Sequence, residues 1–400
     1  MSHLLLHNAR VVLPRKIQHG GVLVRDGDIV QIFGGDDMPL GMSSSESIDL
    51  DGGYLAPGMI DIHIHGSAGV DVLGADSDAL RRLSEFLLDE GVTGYFATLV
   101  PADERGYLTA IREITSYIKN QDQGPPHQRG ARILGVHFEG PFVSHNRCGA
   151  LQREHFRTYD GDARSLALFT GEPGKWELSF ARLITLAPEV AGGLDLVRDL
   201  TSSGVRVFIG HTQADPDTLD LAAEAGARHI THFFNALDQL HHRKPGAIAW
   251  GLVRSDVTLD CIADFQHLHP LVLKMIYQSK GADRVALISD AILPTGLGDG
   301  EFEVWGEKIA VRNGLTSLLE GPAQGTIAGS VITMRHAFKN TVSLGIPIEE
   351  AVRMASLVPA RAAGIEGERG SIQEGKRADL IVFDDHLNVK MAIVGGQRVK

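Results

Sequence analysis

Asp61-Ile62-His63-Ile64-His65-Gly66 ends the apolar run Gly58-Met59-Ile60 and puts two imidazoles two residues apart. Side chains alternate along a strand, so His63 and His65 project to one side while Ile62 and Ile64 pack on the other. A lone His-x-His is as consistent with two packed histidines as with metal ligation, and the rest of the chain decides between them. Three more apolar runs end in a metal-type ligand: Glu139 after Ile133 to Phe138, His211 after Val205 to Gly210, and His232 after His229-Ile230-Thr231. A fourth ends in Asp290, after Val285 to Ser289. Imidazole and carboxylate together suit zinc, ferrous iron and similar divalent ions. Such an ion brings the pKa of bound water to about 7. Asp290 would take that water's proton and return it to a leaving amine. Amide, ester or phosphoester hydrolysis and base deamination all remain open on these residues alone.

These side chains need a scaffold that brings strand ends to one place. Strand-like runs lie near 58–66, 91–100, 132–139, 181–187, 205–211, 228–233, 257–264 and 285–290, eight in all. Helical patterns separate most of them. Leu80, Leu83, Phe86 and Leu87 share a face that Gly91 stops, Leu108, Ile111, Ile114 and Ile118 share another, and Pro216 opens a third helix. Further helices fall at Leu271 to Ile276 and Ala337 to Val342. This α/β rhythm predicts a (β/α)8 TIM barrel over 56–365, whose active site lies at the carboxyl ends of the strands. Residues 293–325 break the rhythm and read as an inserted hairpin near the site mouth. Residues 1–55 and 366–400 read as short strands, too few in either segment to enclose a core, so the two termini are expected to pair into a small β-sandwich domain.

Composition narrows the partners. The 400 residues are 43% hydrophobic and 22% charged, as in soluble globular proteins, with a net charge of -12. That charge argues against nucleic acid or an anionic membrane as partner. Two cysteines, Cys148 and Cys261, make no disulfide framework, and the first residues, Met1 to His7, lack a signal-peptide pattern. A cytoplasmic enzyme is the expectation.

Two features narrow the chemistry. Cyclic-amide hydrolases of this architecture carry a carboxylated lysine on the fourth strand, whereas Ala181 to Ala187 contains no lysine, leaving Glu139 as the available bridge. Deaminases carry His-x-x-Glu on the fifth strand, where this chain has His211-Thr212-Gln213-Ala214.

Nearly end to end, the chain resembles the N-acetylglucosamine-6-phosphate deacetylase family of the amidohydrolase superfamily. The matching stretches are Pro57 to Gly66, His137-Phe138-Glu139-Gly140-Pro141-Phe142, Leu186 to Glu189, Gly210-His211-Thr212, Thr231 to Leu237, Arg243-Lys244-Pro245-Gly246, Ser289-Asp290-Ala291 and Ile327-Ala328-Gly329-Ser330. The resemblance implies that Glu139, His211 and His232 hold one metal. With His63 and His65 retained it implies a second, Glu139 bridging, and Asp290 as catalytic acid and base. It implies a sugar phosphate held by Asn235, Ala236, Arg243 and His267, with backbone contacts from Ala150 and from Ile327, Ala328 and Gly329, and a homodimer in which Arg243 reaches a neighbouring site.

Three positions depart from the family pattern. Leu151 replaces a substrate-contacting histidine, for which His145 or His155 could compensate. Phe265 stands where glycine is usual, and Ser144-His145-Asn146-Arg147 forms a long polar loop. All touch the substrate side, so another amino sugar, a galactosamine derivative or an unphosphorylated sugar, is the alternative substrate. The alternative of another class is a non-catalytic sugar-phosphate sensor, against which the complete ligand set counts. His229, His241, His242 and His269 are expected to be packing or surface residues.

Overall fold

The computed structural model of the protein describes residues 3–35, 46–123, 129–170, 181–321 and 323–400. Met1 and Ser2, residues 36–45 of the expected terminal domain, 124–128 and 171–180 of the barrel, and Pro322 of the insertion lie outside the described residues.

Eight parallel strands form the central sheet: β1 (Met59–Ile64), β2 (Val92–Leu99), β3 (Arg132–Glu139), β4 (Ala181–Leu186), β5 (Arg206–Ile209), β6 (His229–Ile230), β7 (Thr258–Ile262) and β8 (Val285–Ile288), each paired with the next in the chain. Beyond the strand ends, Asp290 N–H donates to the His63 carbonyl at 2.9 Å and His65 N–H to the Ala291 carbonyl at 2.8 Å, which joins the last strand to the first. The sheet is thus a (β/α)8 barrel. β1, β2 and β8 are buried at every position, as expected where helices cover the outside and side chains fill the inside.

The helices begin where the capping residues dictate. Asp76 accepts from Ala79 N–H before Ser77–Asp89, and Asp103 from Gly106 N–H before Glu104–Asn120. Asp215 accepts from Thr218 N–H before Pro216–Glu224, where Pro216 occupies the first turn. Leu80, Leu83 and Leu87 are buried as their spacing requires, while Phe86 is only half-buried, its ring lying against Gly296 of the loop after β8.

The termini pair as expected. Leu380–Phe383 runs antiparallel to Tyr54–Pro57, with Leu380 opposite Pro57 and Phe383 opposite Tyr54. The long strand His3–Leu13 holds the domain together, since its first half pairs with Glu46–Asp49, its second half with Tyr54–Pro57, and its whole length with Lys16–Arg25. Leu6, Val11 and Val22 from the amino-terminal side share one core with Leu380, Val382 and Ile393 from the carboxy-terminal side.

The expected hairpin in 293–325 has a third strand. Gly300–Val304, Glu307–Arg312 and Leu315–Leu318 form an antiparallel meander around Ile292, Val304, Ile309, Leu318 and Ala328. The extra strand gives the insertion an apolar face to pack, which a two-stranded hairpin lacks.

Candidate metal centre and its cavity

Glu139 ends β3, His63 lies within β1, and His65 follows it. His211, His232 and Asp290 each stand two residues past the last residue of β5, β6 and β8, and each has a left-handed backbone, with φ of 49°, 30° and 50°. That region costs an ordinary L-residue about 1–2 kcal/mol and is least costly for Gly, Asn, Asp and His. Here it turns the chain away from the strand at the point where the side chain enters the site.

The six side chains form two groups, His63 with His65 and Asp290, and Glu139 with His211 and His232, the ligand atoms of each group lying within 4.8 Å of one another. Glu139 belongs to the second group and also reaches the first. Its Oε1 lies 2.9 Å from His211 Nε2 and 3.1 Å from His232 Nε2, and its Oε2 lies 3.3 Å from His65 Nε2. Asp290 Oδ1 lies 3.5 Å from His63 Nε2 and 3.4 Å from His65 Nε2. The Nε2 atoms of His63 and His65 are 3.2 Å apart, and those of His211 and His232 are 3.1 Å apart. Four imidazole nitrogens and two carboxylates converging in a buried space fit a divalent cation better than they satisfy one another by hydrogen bonding.

The charges respond to this crowding. Burial opposes a proton on His65, yet its hydrogen bonds to Asp290 and Glu139 outweigh that and push it up to about 10. His232, also opposed by burial, is pushed up to about 9 by Glu139. Glu139 is held well below the usual carboxylate range, because His63, His211 and His232 outweigh its desolvation.

A second layer orients the ligands. His211 Nδ1 lies 2.8 Å from the Arg147 carbonyl, a bond that leaves Nε2 as the free lone pair. Asp260 on β7 accepts from the His232 backbone N–H through one oxygen and lies 2.8 Å from His229 Nε2 through the other. His229 Nδ1 lies 2.7 Å from Thr258 Oγ1. His137 presents its ring edge-on to His63, with centroids 4.7 Å apart, and is anchored by the Ile62 carbonyl and Thr185 Oγ1. Asp61 joins Ser289 to the His63 backbone, and burial pushes its carboxyl up to about 6.

A cavity of about 260 Å³ opens over this centre. Among the residues singled out from sequence, His65, Glu139, His211, His232 and Asp290 line it, with Ala150, Asn235, Ala236, His267, Ile327 and Gly329 around them. His63 lies behind the wall, fully buried. Ala328 is also fully buried and packs into the core of the inserted sheet. Arg243 is exposed in the turn His241–Lys244 and does not line the cavity. His267 donates from Nδ1 to Asp264 at 2.7 Å, which leaves Nε2 for a ligand.

The departures separate in space. Leu151 lines the cavity and packs with Val100 and Val143. The Phe265 ring packs against the barrel core instead of entering the cavity, on a backbone with φ of 64°. His145 lies beside Phe156 and His155 beside Glu154, and neither lines the wall. Trp305, Gly149 and Thr326 line it without having been singled out from sequence. Trp305 reaches in from the inserted sheet, its ring 5.2 Å from His65 and its Nε1 donating to Asp71 at 3.0 Å. Only its bulk in a region near the mouth hinted at this. His229 is part of the buried relay behind His232, whereas His241 and His242 are exposed and His269 accepts from Leu271 N–H at a helix start.

The barrel, its strand-end ligands and the matching family model over residues 54–399 define the class: this chain belongs to the amidohydrolase family. Within that family it groups with the N-acetylglucosamine-6-phosphate deacetylases. One from Bacillus subtilis (strain 168) is 33% identical over 398 residues, covering 98% of this chain and 96% of the relative. An N-acetylgalactosamine-6-phosphate deacetylase from Escherichia coli O157:H7 is 34% identical over 87% of this chain and 88% of its own. Among solved structures, the Pasteurella multocida N-acetylglucosamine-6-phosphate deacetylase superposes with a TM-score of 0.87 at 27% identity over 99% of both chains. A variant from Mycobacterium smegmatis in complex with N-acetyl-D-glucosamine-6-phosphate superposes with a TM-score of 0.86 at 30% identity over 100% of both.

Proposed function

We propose that this chain hydrolyses the acetamide of an N-acetylated amino-sugar phosphate, foremost N-acetylglucosamine 6-phosphate, releasing acetate and the amino-sugar phosphate. The observation that carries the reading is the Glu139 carboxylate lying between the two histidine pairs directly below the cavity, its Oε1 near His63, His211 and His232 and its Oε2 near His65, with Asp290 beside them. His63, His65, Glu139, His211 and His232 would hold one or two divalent ions, zinc or ferrous iron by donor type. A cation there supplies Lewis-acid polarisation of the amide carbonyl and a more acidic water. Asp290 takes the proton from the attacking water and delivers it to the departing nitrogen as the carbon–nitrogen bond breaks. His267 Nε2 and Asn235 orient the sugar, and Leu151 with Trp305 excludes water from one side.

Among the described residues no lysine or arginine lines the cavity. The proposed phosphate contacts are therefore backbone groups at Ala150 and Ile327 to Gly329, with a guanidinium from Arg243 of a second copy in a cytoplasmic homodimer, since Arg243 is exposed and does not line the cavity of its own subunit. Among the described residues no helix is long and apolar enough to cross a membrane.

The galactosamine derivative is the second reading, favoured by apolar Leu151 on the sugar side and by the E. coli relative's name. The test is acetate release by metal-loaded protein from both N-acetylhexosamine 6-phosphates and their unphosphorylated forms. Preference for the glucosamine phosphate is expected. Preference for the galactosamine phosphate would transfer the assignment to the second reading, and absence of turnover on all four would overturn both.

A further inference from the structure

A second cavity, of about 190 Å³, lies at the opposite end of the barrel. Its wall includes Arg206, the first residue of β5, Arg228, which directly precedes β6, and Thr258, the first residue of β7, together with Arg361 from the helix Val358–Ala363. The catalytic ligands stand at the other ends of these strands, so no residue is shared between the two cavities.

Three arginines, all exposed, line this cavity in a chain whose net charge is -12. The one carboxylate in the wall, Asp256, is already engaged, since Arg254 donates to both its oxygens at 2.8 and 2.9 Å, and Arg228 lies 3.8 Å away. Among the described residues no carboxylate lies within ion-pair distance of Arg206 or Arg361, and Arg361 donates to the backbone carbonyl of Asp283 at 3.1 Å. The three arginines are exposed, so water screens their mutual repulsion, and they remain available to an incoming anion, whose phosphate oxygens guanidinium groups match by paired hydrogen bonds. At about 190 Å³ the cavity has room for a phosphate bearing a small organic group.

We infer that this amino-terminal cavity is a binding site for a phosphate-bearing small anion, separate from the substrate site. Its floor is connected to the metal centre. His229 and Thr258 line it, and His229 bonds Asp260, which holds the His232 backbone.

The test is calorimetric titration of the metal-loaded enzyme with inorganic phosphate and, separately, glucose 6-phosphate, each against potassium chloride of matched ionic strength. The Arg206→Ala/Arg361→Ala variant is expected to lose one class of sites, or to weaken it at least tenfold, while acetate release at saturating substrate is unchanged. Because Arg206 packs on Gly364, the single Arg228→Gln variant serves as a second probe, with an expected weakening of about threefold or more. Tighter binding of glucose 6-phosphate would assign the site to sugar phosphates, and tighter binding of inorganic phosphate to the free ion. Equal binding stoichiometry and affinity in the wild type and both variants would overturn the inference.

Discussion

On the metal wall of the catalytic cavity every proposed ligand belongs to a strand or its immediate end and is at most 7% exposed. The facing wall is assembled from loops at 149–151, 235–236, 267 and 326–329, and from Trp305 of the inserted sheet. Barrel ladders and second-layer bonds such as Asp260 to His232 fix the first wall, so its geometry is set when the barrel folds. The second is fixed by contacts between segments far apart in sequence, such as Trp305 with Asp71 and Gln152 with the Trp305 carbonyl. On the proposed reading the chemistry would fall on the strand-built wall and substrate choice on the loop-built one.

That contrast predicts which changes hurt and how. Asp290→Asn should lower kcat by about 10³-fold while metal content, read by elemental analysis, stays at the wild-type level. Retained turnover would remove Asp290 from proton transfer. Asp260→Ala strikes the same wall from behind. Its expected effect is a 10- to 100-fold loss of metal affinity in chelator competition, with the full chain still folded by circular dichroism. Unchanged affinity would show that the strands alone position His232. Trp305→Ala belongs to the opposite wall, and should raise KM about tenfold with kcat and metal content little changed. A fall in kcat with KM constant would instead place Trp305 on the metal side of the comparison.

The same division explains what the sequence reveals. Period-2 alternation puts His63 and His65 on one face, and the strand-end rule gathers Glu139, His211, His232 and Asp290, because the barrel repeats one local geometry eight times. No such rule reaches the other wall. Trp305 and His65 are brought together by a three-stranded insertion whose docking depends on the apolar contacts of Val304, Ile309 and Leu318, which carry no positional period. Phe265 stands where a sequence reading expects crowding of the sugar, yet its left-handed backbone accompanies a ring packed on the barrel core. His229 looks like any packing histidine until Asp260, 31 residues later, is seen to join it to His232.

The left-handed backbones at His211, His232 and Asp290 bear on how such a chain drifts over generations. The residue types that tolerate this conformation best are Gly, Asn, Asp and His, and two of the four are metal ligands. A mutation to Asn or Gly there discards the chemistry and spares the architecture, whereas one to Val or Ile burdens both. Descendants that lose turnover by the first route would keep a sound barrel and an intact facing wall, so a catalyst of this design lies one substitution from a binding protein.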